Sequence, residues 1–379
     1  MTLTQKTLTL PADLETPVGI YLKIRDLFPC SALLESSDYH TSQNSVSLIG
    51  VDPIGSFTLV KERIIMRYPD GSVTDIPAEN VTDALGDYIR AFGDSAQKGD
   101  LFNGLLGFTA YDAVRYFEPS VPVRAREEKL ADIPDMQYFL FRFIIRMNHF
   151  RNEMTILENI PEGEGSRLDQ LVSIIRNNNV AVYPFKAVGE PESHITDEEY
   201  IRMVERGIAH AKRGDVFQIV PSRRFSQEFT GDEFNVYRAL RSVNPSPYLF
   251  FFDFGHFKVF GSSPETHFRV TPDRRAYIDP IAGTFRRTGD DRKDHELAEK
   301  LLADPKENAE HIMLVDLARN DLSRGGGRVS VEYLKQIQFY SHVIHMVSRV
   351  VAQLPEDADI YRLFGETLPA GTLSGAHKV

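Results

Sequence analysis

Apolar positions recur along the chain in two periods, one suited to strands and one to helices. Apolar-rich runs at 45–51 and 56–59 predict short strands broken at Asp52 to Gly55, and 73–76 predicts another. Val81, Leu85, Tyr88 and Phe92 stand at helical intervals. The glycine-punctuated run 102–108 predicts close backbone approach or a bulge. Runs at 136–147 and 154–157 predict paired strands around a polar turn at 148–152, and 168–175 predicts a helix. Segment 177–192 holds successive asparagines, prolines and a glycine; it reads as a linker, dividing the chain into 1–190 and 191–379.

Beyond it, Thr196 and Glu199 have capping-box spacing, Ile201, Val204, Ile208 and Ala211 follow at helical intervals, and Gly214 ends the helix. The run 216–225 predicts a strand that Pro221 confines to an edge or bulge. Strand pairs are predicted at 249–252 with 257–260 and at 267–270 with 275–279, helices at 294–302 and 306–322, and strands at 329–332 and 340–351. Strand pairs followed by helices predict an α+β chain with largely antiparallel sheets.

Composition narrows the function classes. The 379 residues suffice for two or three folding units, and 42% hydrophobic with 26% charged residues is a globular balance. Forty-three Lys and Arg against 54 Asp and Glu give a net charge of −11. Such a chain has no net attraction to nucleic acid or anionic lipid, although a local basic pocket for a small anion stays open. The single cysteine, Cys30, excludes an internal disulfide and a cysteine-based zinc cluster. No targeting pattern is visible, and every apolar stretch falls short of the ~18–20 residues that span a bilayer. The expectation is a soluble cytoplasmic protein without a membrane or nucleic-acid partner.

Four groups of residues could carry chemistry. Glu307 and Glu310 are three apart on a predicted helix, so both carboxylates project from one face. Hard oxygen donors without thiolates suit Mg²⁺; a solvated acidic face has the same spacing. Glu265, in Ser-Pro-Glu after a strand, could act as a general acid if burial raises its pKa, or be an ordinary exposed carboxylate. His342 and His345 are three apart in a predicted strand and so face opposite ways. Ala282-Gly283-Thr284 and Ala370-Gly371-Thr372 each offer backbone N–H groups and a hydroxyl to an anion, or form simple turns. There is no GxxxxGK[ST], GxGxxG or G-x-S-x-G.

Taken in order, Ser-Pro-Glu at 263–265, Pro-Ile-Ala-Gly-Thr at 280–284, the run from Lys306 through Glu307, Glu310 and His311 to Asp321, Tyr-Ser-His-Val-Ile-His at 340–345 and Pro-Ala-Gly-Thr-Leu-Ser-Gly-Ala at 369–376 closely resemble the chorismate-utilising enzymes. Within them the likeness is to the anthranilate synthase component I branch. Leu33-Leu34-Glu35-Ser36, Gly107 through Tyr111-Asp112 to Arg115, and Asn244-Pro245-Ser246-Pro247-Tyr248 extend it over nearly the whole chain.

The resemblance implies two largely antiparallel sheets packed together with helices outside. It implies a lyase that converts chorismate and ammonia to anthranilate and pyruvate, the first step of tryptophan biosynthesis, with a glutamine amidotransferase subunit supplying the ammonia. Glu310 would ligate Mg²⁺ with Glu307 nearby. Glu265 would protonate the departing 4-hydroxyl, His345 would stand at the substrate ring, and Ala282, Gly283, Thr284, Gly371 and Thr372 would line the substrate. Leu34, Glu35, Ser36, Asn244, Pro247, Tyr248 and Leu249 would bind tryptophan as feedback inhibitor.

Two positions separate the branches. Relatives making aminodeoxychorismate usually carry a nucleophilic Lys where Ala282 stands, and relatives using water carry a general-base Lys where Gln218 stands; neither alanine nor glutamine can do that work. Aminodeoxychorismate synthase component I and a non-catalytic tryptophan sensor are the competing readings. His377 stands where the family usually has Pro, and Val379 falls inside a motif that normally runs on to a second metal-binding glutamate. The 379-residue chain is therefore expected to be inactive or very weak.

Overall fold

The strand Met136–Asn148 is buried along most of its length, and the chain's first sheet is built around it. It pairs antiparallel with Val46–Val60, with Glu153–Pro161 and with Leu105–Thr109. The computed structural model describes residues 3–36, 45–92, 102–121, 123, 132–177, 179–340, 342–370 and 373–376. Two units emerge: Met1–Tyr116, Pro122–Lys186 and Thr230–Pro264 form one, and Phe117–Val121, Ala187–Phe229 and Glu265–Val379 form the other.

The first unit holds a 10-stranded sheet in which every pairing is antiparallel. One face is covered by the helices Pro17–Ile24, Leu168–Arg176 and Phe234–Val243, which pack Ile20, Leu171 and Phe234 against Val51, Ile145 and Phe251. The other face carries a separate cluster of Phe139, Phe141, Phe252 and Phe254. Arg142 is buried within the central strand, and its guanidinium bonds the Glu158 carboxylate at 3.0 Å, the Gly165 carbonyl at 2.7 Å and Glu164. A charge at this depth is tolerable because each of those bonds compensates lost hydration. Gly107 meets the expectation of close approach: a Cβ there would stand 1.9 Å from the Gln137 carbonyl oxygen.

The second unit is built on the strand Val343–Gln353, which pairs with Arg328–Phe339 on one side. On the other side it meets Arg275–Ile278 and Ile281–Arg286 end to end. Alternate residues of this strand face opposite ways. Ile344 and Met346 pack with Ala298 and Leu301 of the helix Asp291–Ala303. Val350 and Ala352 pack with Val315, Ala318 and Leu322 of the helix Pro305–Ser323. His345 and Arg349 belong to the alternate set.

Four expectations change. The strand predicted in two pieces at 45–51 and 56–59 is continuous, because Asp52 adopts φ 62° and the register shifts between Pro53 and Gly55, a bulge rather than a break. The strand predicted at 216–225 shrinks to Gln218–Ile219, and a second begins at Phe225 past Pro221. The helix Asp197–Arg213 has its capping box, but its apolar stripe stays largely open, with only Gly207 buried among its residues. The single division at 190 gives way to a discontinuous one. Residues 230–264 return to the first unit because Tyr248–Asp253 pairs with Ser31–Glu35, a partner some 200 residues away whose register puts Leu249 opposite Glu35.

Candidate active site

Four consecutive residues, Ile281 to Thr284, gather most of the candidate catalytic side chains. The edge strand Ile281–Arg286 runs beside Val343–Gln353, and the register shifts between Ala282 and Thr284. Gly283 sits in that irregularity at φ 77°, a conformation in which a side chain would be strained. A Cβ on it would also stand 2.9 Å from Leu301 Cδ1 and 3.4 Å from Glu307 Oε2. The bulge therefore lets the Glu307 carboxylate approach the main chain.

Thr284 lies opposite His345, and its Oγ1 is 2.9 Å from His345 Nδ1. The imidazole is 9% exposed and meets the Tyr340 ring edge-on at 5.1 Å. Burial pushes its pKa down, and the Gly283 carbonyl, which accepts from the ring, opposes this in part. The ring is neutral at pH 7 and offers one donor and one acceptor.

Glu265 accepts the backbone N–H of Ile281. Its pKa is pushed up, first by desolvation and then by the Asp279 charge, with the Ile281 N–H opposing. The side chain is nevertheless exposed. Both facts describe a recessed carboxyl that water can touch while protein displaces bulk solvent from most of its surroundings. Asp279 is itself held by Arg349 through two hydrogen bonds of 2.7 and 2.9 Å.

Glu307 is positioned by the start of its helix. Asp304 caps that helix, accepting the N–H groups of Lys306 and Glu307, and Pro305 opens it. Glu310 is three residues on and half-buried. The pair suits Mg²⁺, which is commonly held by one or two carboxylates while water and substrate oxygens complete its shell. Among the described residues no group of three or more His, Cys, Asp or Glu is arranged around a metal position.

Residues 281–284 thus bring together Glu265, Glu307 and His345, while Glu310 joins them through its place on the Glu307 helix. Ala282 is buried and its carbonyl faces inward toward His311. His342 is exposed. Gly371 and Thr372 lie outside the described residues. Two participants were not legible beforehand: Asp279, which acts on Glu265, and Tyr340, against which His345 rests. Both depend on strand pairing that spacing does not reveal.

The seven residues expected to bind tryptophan all belong to the first unit. Glu35 is buried, and its carboxylate accepts Tyr237 Oη at 2.7 Å and Arg241 Nε at 3.1 Å. Ser36 follows it at the strand end, and Tyr248 and Leu249 open the neighbouring strand. Asn244 terminates the helix Phe234–Val243, and its carbonyl accepts Ser262 Oγ at 2.6 Å. Pro247 is half-buried between them. Strand alternation divides the set across two faces. Leu249 packs with Leu33 and Tyr237, whereas Leu34 packs with the Phe139–Phe252 cluster. Tyr237 and Arg241 are the participants here that sequence reasoning missed.

The profile of chorismate binding enzymes matches residues 29–379. The chain belongs to the chorismate-binding enzyme family. Among curated members of that family, anthranilate synthase component 1 of Acetivibrio thermocellus is 34% identical over 400 residues, covering 98% of this chain and 78% of that protein. Anthranilate synthase component 1 of Thermus thermophilus is 35% identical over 387 residues, covering 98% of this chain and 80% of that protein. Among solved structures, anthranilate synthase component I from Streptococcus pneumoniae superposes with a TM-score of 0.73 at 28% identity, covering 97% of this chain and 81% of that one. The menaquinone-specific isochorismate synthase of Escherichia coli shares the fold, with a TM-score of 0.68 at 16% identity over 100% of this chain and 77% of that one. Among the described residues of this chorismate-binding chain, no helix is long and apolar enough to cross a membrane.

Proposed function

We propose that this chain is the chorismate-converting subunit of an anthranilate synthase, a lyase that forms anthranilate and pyruvate from chorismate and ammonia for tryptophan biosynthesis. The observation that carries the reading is the gathering of a raised-pKa carboxyl, a neutral imidazole and a carboxylate-bearing helix around the four residues 281–284.

Chorismate is a dianion, and this chain is acidic, so the substrate must be met locally. The main chain at Gly283 and the Thr284 hydroxyl offer donors at the bulge. Glu307 and Glu310 would hold Mg²⁺, which when bound supplies positive charge for a substrate carboxylate. Hydroxide is a poor leaving group. Glu265, whose environment favours the protonated form, is suited to give its proton to the departing 4-hydroxyl oxygen, which leaves as water. His345, held by Thr284, is suited to hydrogen-bond or accept a proton at the ring. Ammonia adds at C2 as the 4-hydroxyl leaves, and loss of pyruvate then gives the aromatic product.

Ala282 and Gln218 favour ammonia as the nucleophile, since neither can serve as a lysine-like nucleophile or base. A glutaminase subunit is the proposed source of ammonia. Tryptophan, bound in the first unit beside Glu35 and Ser36, is the proposed inhibitor.

Product identity tests the reading. At high protein concentration with chorismate, ammonium and Mg²⁺, fluorescence and mass analysis of the weak turnover expected of this chain should find anthranilate and an equal amount of pyruvate. Isochorismate or 4-amino-4-deoxychorismate as the product would contradict it.

A further inference from the structure

The helix Pro305–Ser323 docks on its sheet through a stripe that begins with a histidine. His311, Val315, Ala318 and Leu322 are buried at helical intervals. The last three meet apolar partners, but His311, wholly buried, meets a hydroxyl: its Nε2 lies 2.6 Å from Oγ of Ser348, also wholly buried. Among the described residues nothing completes a hydrogen bond to Nδ1. Burial pushes the imidazole pKa down, Lys335 adds to this, and the Ala282 carbonyl facing the ring opposes it.

Ser348 stands where both neighbours of its strand are irregular. Its Oγ accepts the Lys335 N–H at 2.9 Å, where Arg328–Phe339 bulges and Lys335 takes φ 54°. Its own N–H donates to the Pro280 carbonyl at 3.1 Å, in the gap between Arg275–Ile278 and Ile281–Arg286. A hydroxyl has one proton and two lone pairs, so Lys335 and His311 can both be served.

Apolar packing is non-directional and would let the helix slide along the sheet; a hydrogen bond between two buried groups fixes one register. Glu307 and His311 are four apart and share a helix face. We propose that His311 is a positioning residue whose bond to Ser348 fixes the first turns of the helix, and with them Glu307 and Glu310, against the Gly283–Thr284 bulge. The importance of that placement rests on the assignment of these residues to one site; the bond and its effect on the bulge do not.

Hydrogen exchange of the full chain, read by mass spectrometry over residues 278–287 and 305–312, tests the proposal with His311→Leu, His311→Gln and His311→Asn. A glutamine amide reaches the place of Nε2, whereas an asparagine amide reaches only that of Nδ1. The Leu and Asn variants should exchange about tenfold faster in both segments while residues 136–148 are unchanged, and the Gln variant should restore protection. Protection in the Leu variant equal to that of the parent, or equal protection with Gln and Asn, overturns the proposal; if the Leu variant does not fold, the Gln and Asn comparison decides it. A parallel titration with Mn²⁺ should show affinity about tenfold weaker in the Leu and Asn variants alone. Absence of Mn²⁺ binding in every variant, parent included, combined with the expected exchange pattern, overturns the metal reading of the two glutamates and upholds the positioning role.

Discussion

The hydroxyl of Thr284 lies 2.9 Å from Nδ1 of His345, joining two strands at the point where the edge strand bulges. Thr284 is exposed while His345 is nearly covered, so the bond orients the ring from its open side. Thr284→Val keeps the β-branched shape and removes that bond. Anthranilate formation should fall by about tenfold to a hundredfold with little change in thermal midpoint. An unchanged rate would show that the hydroxyl does not orient the ring.

Glu265 works as an acid only while protonated. Activity should therefore decline as pH rises through its raised pKa. Asp279→Asn removes a negative charge that favours the protonated form and takes from the Arg349 cation its two-bond partner, leaving it the more distant Glu332 at 3.8 Å. Both changes act in one direction, so the basic limb of the kcat/KM profile should move to lower pH. A limb that stays in place, or moves up, would exclude Asp279 as its cause.

Three histidines, His149, His311 and His345, have pKa values lowered mainly by burial. In the unfolded chain they titrate near ~6.5. As pH falls below that value the unfolded state takes up protons before the folded state does, so stability is lost until the folded values are reached. Glu265 pulls the other way, one group against three. Urea midpoints should decrease between pH 8 and pH ~5.5, and by less in His311→Gln. A flat or rising midpoint would contradict this.

Ser36 directly follows the strand that ends at Glu35, and Tyr237 and Arg241 already occupy the Glu35 carboxylate. The Ser36 hydroxyl is thus the more available group for an amino-acid ligand. Ser36→Ala should weaken tryptophan inhibition about tenfold, measured as the shift in half-inhibitory concentration. Unaltered inhibition would remove Ser36 from the regulatory site.

Much of this was legible in the chain, and the exceptions share a cause. Long periodic runs such as 136–147 and 306–322 carry their own signal and form the elements they predict. Asp52 to Gly55 reads as a break because composition cannot separate a bulge from an interruption; only pairing with Met136–Asn148 makes it one strand. His311 lies a quarter-turn from Glu310 by helix geometry alone, but its partner Ser348 is 37 residues away on a strand. The same holds for Tyr237 at Glu35, 202 residues apart. Motif order pointed to the chemistry, and long-range pairing supplied the neighbours that tune it.

A crystal structure of the protein with chorismate and Mg²⁺ tests the account most directly. It predicts ligand density against Gly283 and Thr284, with Glu265 and His345 both touching the substrate and a cation at Glu307 and Glu310. Substrate bound on any other surface, with those side chains untouched, would contradict it.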